Sequence, residues 1–350
     1  MSLLDPLRDP ARDPWTIDAA DFPSGGCLRD RARFALRYAV LAPSGHNTQP
    51  WRFILTARGL ELRADRTRAL PVVDPEDRAL TISCGAALGH LDVALSRFGI
   101  AHRITPLPDA ADPDLLARVT MADVPIGADL DSERLCAAIP RRRTNRRSYD
   151  SRPPAGCDLI ACTAAAEQEG ARLHVLTHPR ELDAIAALVA EGDRQQFQDP
   201  AFRRELARWV RSHHGPGHDG LSGAAFGMPD MLSVAGAAAI RLVDMGARVG
   251  AKDLKLTAAG PALGVLTTRD DTPEDWIIAG RALSRVLLTL TDRDLSAAFL
   301  NEPIEVPALR PQLRGLLPGD GIPQMMFRIG YAAPIPPAAR RPREEVLTER

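Results

Sequence analysis

Two hydrophobic periods alternate along the chain, and the residues between them mark where one gives way to the other. Over residues 28–41 the apolar positions Phe34, Tyr38 and Leu41 fall on one face of a 3.6-residue turn, which predicts an amphipathic helix. Pro43 disfavours helical backbone in the residue before it, so this helix ends near Ala42. Residues 51–56 read as a strand. Gly59 then turns the chain into Leu60-Glu61-Leu62-Arg63-Ala64, which alternates as a half-exposed strand does. A long helix is predicted over 81–98. It is dense in small residues (Cys84, Gly85, Ala86, Ala87, Gly89), which let a second helix approach closely. Further strands are expected at 117–121, 171–177 and 324–329, and helices at 180–195, 201–211 and 231–249. Residues 212–229 are rich in Gly and His, lack a period, and read as a mobile loop.

A second long helix, over 276–292, repeats the first. With Ile82 placed on Ile277, Gly85 falls on Gly280, Ala87 on Ala282, Leu88 on Leu283, Leu91 on Val286, Leu95 on Leu290 and Ile100 on Leu295. A Pro-Glu-Asp turn precedes each helix, at 75–77 and 273–275. Amphipathic periodicity alone does not call for glycine inside a helix, where it costs about 1 kcal/mol. The matched glycines therefore point to duplication. The boundary is expected near Ile139-Pro140: an arm over 1–27, a first copy over 28–138, and a second over 139–350 with an insertion at 212–230.

Bulk properties narrow the function classes. The chain has 350 residues, 45% hydrophobic and 25% charged, with a formal net charge of -1. That is enough for a sizeable core, and it gives no global basic field for nucleic acid or an anionic membrane. Lys252 and Lys255 are the only lysines, so arginine abundance reflects compositional bias. The five cysteines (Cys27, Cys84, Cys136, Cys157, Cys162) are odd in number and fit no zinc spacing, and they are expected to be reduced thiols. The polar, Pro- and Asp-rich N-terminus has no signal core, and no apolar run is expected to span a bilayer, so a cytoplasmic location is expected. His213, His214, His218 and Asp219 lie in a Gly/Pro loop, a poor frame for a metal, and no metal is expected.

Two segments could carry chemistry. Ala42-Pro43-Ser44-Gly45-His46-Asn47-Thr48-Gln49-Pro50-Trp51 joins the first helix to the first strand. Its hydroxyl and amide groups suit the polar edge of a planar heterocycle, and Gly45 permits unusual backbone angles. The same residues also build ordinary turns and caps. The second segment, Arg141 to Tyr149, holds five arginines in seven positions, with Thr144 and Ser148 adding hydroxyls. Arginine forks bind phosphate oxygens. A nucleic-acid surface is disfavoured because the run is isolated and lacks interleaved aromatics.

On these residues the chain resembles the nitroreductase superfamily. Residues 42–53 are similar to its S-P-S-x-x-N-x-Q-P-W signature. Residues 141–149 are similar to its R-R-S-x-R-x-F/Y motif, with Thr144 in place of Ser. Phe327-Arg328-Ile329-Gly330-Tyr331, followed by Arg340-Arg341, resembles its closing segment. Order and length match the two-repeat, Acg-type branch. The resemblance implies an α+β fold of two fused repeats, an intramolecular pseudo-dimer with FMN between the copies. The first copy holds only the Ser/Asn motif and the second only the arginine motif, so one complete site and one FMN per chain are implied.

The resemblance further implies that Arg141, Arg142, Arg143 and Thr144 face the FMN phosphate and ribityl chain, with Arg146 nearby and Arg340 or Arg341 closing the clamp. Pro43, Ser44, Gly45 and Asn47 would meet the isoalloxazine, and the turn Phe299-Leu300-Asn301-Glu302, with Leu300 and Asn301 at its centre, would lie along the ring near N5. No catalytic side chain is implied. The expected activity is NAD(P)H-dependent hydride transfer through the flavin to a nitroaromatic or quinone; the alternative is a protein that stores or sequesters FMN. The insertion over 212–230 could be a cover over the flavin or an exposed linker. No G-x-G-x-x-G supports a separate nicotinamide site. An internal pseudo-dimer implies a monomer.

Overall fold

A computed structural model describes residues 13–127, 130–211, 217–222 and 233–350. The first part of the chain runs α1 (Leu28–Ala39), β1 (Trp51–Thr56), β2 (Gly59–Ala64), α2 (Arg78–Arg97), β3 (Ile100–Pro106), β4 (Leu115–Pro125) and α3 (Leu130–Ala138). The rest runs α4 (Gly156–Glu167), β5 (Arg172–Leu176), α5 (Pro179–Gln198), α6 (Pro200–Trp209), β6 (Val210–Arg211), β7 (Leu221–Ser222), α7 (Ser233–Leu242), α8 (Gly246–Ala258), β8 (Ala262–Thr268), α9 (Pro273–Asp292), β9 (Ser296–Phe299), α10 (Glu302–Glu305), α11 (Arg310–Gly315), β10 (Ile322–Gly330), α12 (Arg343–Val346) and β11 (Leu347–Glu349).

The two sheets have the same plan. One is ordered β11-β1-β2-β4-β3 and the other β5-β8-β10-β9. Replacing α1-β1-β2-α2-β3-β4 by α4-β5-β8-α9-β9-β10 turns one strand order into the other, and these strand pairs are antiparallel in both. Two departures from the plan matter for the site. The C-terminal strand β11 leaves the second half and pairs in parallel with β1, Phe53 opposite Leu347. Where Gly59 closes a tight β1–β2 turn (φ 142°, a Cβ there would lie 2.0 Å from the Val119 carbonyl), the second half inserts α5–α8 between β5 and β8.

The halves meet along α2 and α9. A Cβ on Gly85 would lie 2.7 Å from the Ile277 carbonyl, and one on Gly280 would lie 2.2 Å from the Ile82 carbonyl. The pairs the sequence aligns thus contact each other reciprocally, as at a two-fold interface. Ile277 enters the apolar cluster under the first sheet, and Ile82 enters the one under the second. By length and composition α2 could cross a membrane, contrary to the expectation that no run is apolar enough, but most of it is buried inside the molecule.

Helix ends depart from expectation where caps decide them. α9 begins at Pro273 because Thr272 and Asp275 form a reciprocal capping box. The single helix expected over 231–249 is two helices: Asp244 accepts the Gly246 backbone N–H at 2.8 Å and starts α8 on a new course, against α5. Residues 1–12 of the expected arm, and all of the 212–230 insertion except 217–222, lie outside the described residues; so do His213 and His214.

Candidate functional site

The segment between α1 and β1 holds an unusual backbone. His46, Asn47 and Gln49 all take positive φ (49°, 55° and 53°), each at a cost of order 1–3 kcal/mol for a non-glycine residue. Gly45, expected to supply the unusual angle, is not among the positive-φ glycines. Buried bonds over-determine the strained residues. The Asn47 amide donates to the carbonyls of Gly220 and Ala339, both at 3.0 Å, and its Oδ1 accepts Arg340 Nη1 at 2.8 Å. Gln49 donates to the His218 carbonyl at 2.7 Å and accepts the Arg341 N–H at 2.8 Å. These amides are therefore committed within the protein rather than offered to a heterocycle. The residues of the segment that line a cavity of about 690 Å³ are Pro43, Ser44, Gly45 and His46.

Behind that wall lies a cationic pair. Arg142 is 2% exposed and Arg340 5%. Both donate to the Leu41 carbonyl, at 3.4 and 3.5 Å, and Arg142 also reaches Thr144 Oγ1 at 3.4 Å. Neither forms an ion pair with any described carboxylate, and the Nε of each has no partner. Burial, then the neighbouring guanidinium groups, pushes both down from their ordinary range. Arginine keeps its proton, so a counter-anion bound here would relieve the cost. The buried His90 imidazole feels the same field: burial, then Arg142 and Arg340, pushes it well down, and it is neutral. Its Nδ1 lies 2.8 Å from Ser284 Oγ on α9.

The strip that carries Arg142 is fixed by its neighbours. Thr144 bridges in parallel to Ala297, and the Asn145 N–H donates to the Ala297 carbonyl at 2.9 Å while its amide donates to Ala333. Arg146 is thereby turned into the cavity, together with Leu300, Asn301 and Arg328. Arg143 stacks over Trp15, 4.3 Å from the ring centroid, and Arg340 lies 5.0 Å from the same ring. The indole N–H donates to Ala338 at 2.8 Å.

Two expected phosphate ligands fall elsewhere. Arg141 is exposed and pairs with Asp294 at 2.7 Å, because the strip leaves its 3₁₀ turn only at Arg142. Arg341 is used inside the fold: its Nη1 donates to the Gln49 carbonyl at 3.1 Å, and Nε lies 3.5 Å from Glu345. Of the pair Arg340 and Arg341, Arg340 stands beside Arg142.

Apart from Glu302, which ends the turn expected along the ring, sequence patterns did not signal the rest of the cavity lining. The inserted helices bring Asp193, Lys252 and Asp253 to it, with Phe197 and Val249, and α10 brings Glu302 and Glu305. Trp15 was also missed, since nothing in a polar arm marks one indole as the cover of two arginines. Among the described residues no group of His, Cys, Asp and Glu could hold a metal.

The pseudo-equivalent place in the other half is built differently. Between α4 and β5, where the first half has residues 40–50, stands Glu169. It accepts ion pairs from Arg281 and Arg285, both at 2.8 Å, and Arg281 also meets Asp92 at 3.1 Å. These arginines are neutralised by the chain itself.

No family profile matches the chain. A Mycobacterium tuberculosis protein whose name assigns it, provisionally, to the NAD(P)H nitroreductases is 34% identical over 335 residues, 91% of each chain. A second M. tuberculosis protein so named, Acg, is 28% identical over 335 residues, covering 91% of this chain and 95% of its own. Among solved structures, one described as a nitroreductase from Anabaena variabilis aligns with 91% of each chain at 11% identity, with a TM-score of 0.49.

Proposed function

Because the chain belongs to the nitroreductase superfamily, in its two-repeat Acg-type branch, we propose that it is an FMN-binding, NAD(P)H-dependent oxidoreductase with one flavin per chain, acting on a small acceptor of the nitroaromatic or quinone class. The observation that carries this reading is the pair Arg142 and Arg340. Two buried guanidinium groups without a carboxylate are bonded to both flanks of the segment whose middle lines the cavity. A phosphate monoester supplies the missing charge through charge-assisted hydrogen bonds. The same cavity could take the ring: a strained, tightly bonded turn and the pair Leu300 and Asn301 both line it.

In this reading Arg142, Arg340 and Thr144 hold the phosphate, Asn47 positions Arg340, and Arg146 faces the ring from the second half. Pro43 to Gly45 and Leu300-Asn301 set the slot that orients the ring and excludes water from one face. FMN held there would supply the redox chemistry, hydride transfer between a nicotinamide and the acceptor. The Glu169 ion pairs leave no uncompensated cation at the pseudo-equivalent place, which supports one flavin rather than two. Each chain carries both halves of the site, so a second copy is not required, and we propose a monomer.

The test is the flavin content and reducibility of the purified protein. One FMN per chain, bleached by NADPH without oxygen and recoloured by a quinone, is the expected result. Two flavins per chain, or none even after incubation with FMN, would refute the site. A bound flavin that NADH and NADPH both fail to reduce would assign the protein to FMN sequestration instead.

A further inference from the structure

The lining of the cavity also holds carboxyl groups that the proposed flavin site leaves unused. Asp193, on α5, is 3% exposed, lines the cavity, and has an Oδ2 without a hydrogen-bond partner. Glu302, at the start of α10, lines the same space with an unpartnered Oε2. Their elements are in contact at this point: a Cβ on Gly192 would lie 2.7 Å from Glu302 Cβ. One helical turn after Glu302, Glu305 accepts from Gln196 at 2.8 Å and lines both this cavity and a second one of about 420 Å³ on the other side of α10.

We propose that Glu302, sharing a proton with Asp193, is the proton donor to the acceptor in this cavity, and that Glu305 resupplies it from the second cavity. The proposal rests on the oxidoreductase reading, which places Leu300 and Asn301, immediately before Glu302, along the flavin.

A two-electron reduction of a quinone needs one hydride and one proton. The hydride comes from the nicotinamide donor. The O–H bond of Glu302 breaks, an O–H bond forms on the acceptor oxygen, and the remaining carboxylate is reprotonated by way of Glu305 and solvent. The charges around Glu302 come from four elements: Asp193 on α5, Arg248, Lys252 and Asp253 on α8, Glu305 on α10 and Arg328 on β10, with Arg146 from the strip before α4. Burial first, then Asp193, Glu305 and Asp253, holds the Glu302 carboxyl well above the usual carboxylate range. Burial and the neighbouring Asp253 and Glu305 hold Asp193 up as well. One proton on the pair removes the repulsion between two buried like charges.

Two measurements test this, and the first needs no flavin. In the flavin-free protein, infrared titration should show the carbonyl band of a protonated carboxylic acid persisting at neutral pH, and Glu302→Gln or Asp193→Asn should remove it. A wild-type protein whose carboxyl bands all vanish by pH 5 overturns the proposal, whatever the flavin content. In the FMN-loaded protein, Glu302→Gln should leave reduction by NADPH unchanged and slow reoxidation by a quinone by roughly 10²-fold, the usual contribution of a general acid. Unchanged reoxidation, with the infrared band lost, removes Glu302 as donor. Glu305→Gln should leave a single turnover unaffected and slow repeated turnover; equal rates in both remove Glu305 from the route. A protein that takes up no flavin refutes the oxidoreductase reading, while the infrared result still decides whether the pair holds a proton.

Discussion

Arg142 and Arg141 are adjacent in sequence and differ in everything that matters to binding. Arg142 is buried with no carboxylate, while Arg141 is solvated and paired with Asp294. Removing a charge-assisted bond to a bound phosphate costs about 1.5–3 kcal/mol, and an exposed ion pair is worth about 0–1 kcal/mol. Arg142→Ala and Arg340→Ala should each weaken FMN binding roughly ten- to a hundredfold, and Arg141→Ala should leave it nearly unchanged, as read by fluorescence titration of the flavin. Equal losses at 141 and 142 would contradict the geometry. Motif and composition identified the arginine strip. Which of its arginines turn inward was not legible, because Thr144 and Asn145 are oriented by Ala297, on the distant strand β9.

At the scale of elements, the crossing of α2 and α9 decides whether the two halves can share a site. The contact at Gly85 and Gly280 is backbone on backbone, so no rotamer change can relieve an added methyl group. Gly280→Ala should destabilise the protein by at least about 1–3 kcal/mol, the usual cost of overpacking. Gly315→Ala, which meets nothing within 4 Å, should cost little. Chemical denaturation of both variants measures the difference, and equal stabilities would mean that the helices are not in contact here. The alignment of Gly85 with Gly280 was readable from the sequence alone. The strand β8 was not: all seven of its residues are buried, so it shows no alternation. Nor was the break between α7 and α8, since packing of Gly246 and Gly250 on α5, together with the Asp244 cap, gives α8 its direction.

For the whole molecule, the buried carboxyl groups and the half-buried His46, whose Nε2 is enclosed, act on stability with opposite signs. Burial, then Asp253 and Glu305, pushes Asp193 up to about 8 from 3.8, so the folded chain keeps a proton that the unfolded chain releases. That contribution is complete at low pH and is lost as pH rises towards 8. Burial, then Arg146, pushes His46 down to about 4 from 6.5, so its contribution is present above pH 6.5 and is lost as pH falls towards 4. Between pH 6.5 and 8 the carboxyl effect acts with that of His102, which, against burial, its hydrogen bond to Asp92 holds above the ordinary imidazole range, so that its contribution is also lost as pH rises. The Tm of the flavin-free protein should therefore fall across that interval, and the fall should shrink in Asp193→Asn. A Tm that rises from pH 6.5 to 8 would contradict the burial of these groups.

The sequence by itself determined the family, the duplicated long helix, and the division of the two cofactor motifs between the halves, because each of these is written in local spacing and residue type. Only the tertiary structure decided which arginines lack a counter-charge, that Glu169 neutralises the pseudo-equivalent place, and that carboxyl groups from α5, α8 and α10 share one wall. Those properties depend on burial and on distances between residues far apart in the chain, and burial sets what an uncompensated charge costs.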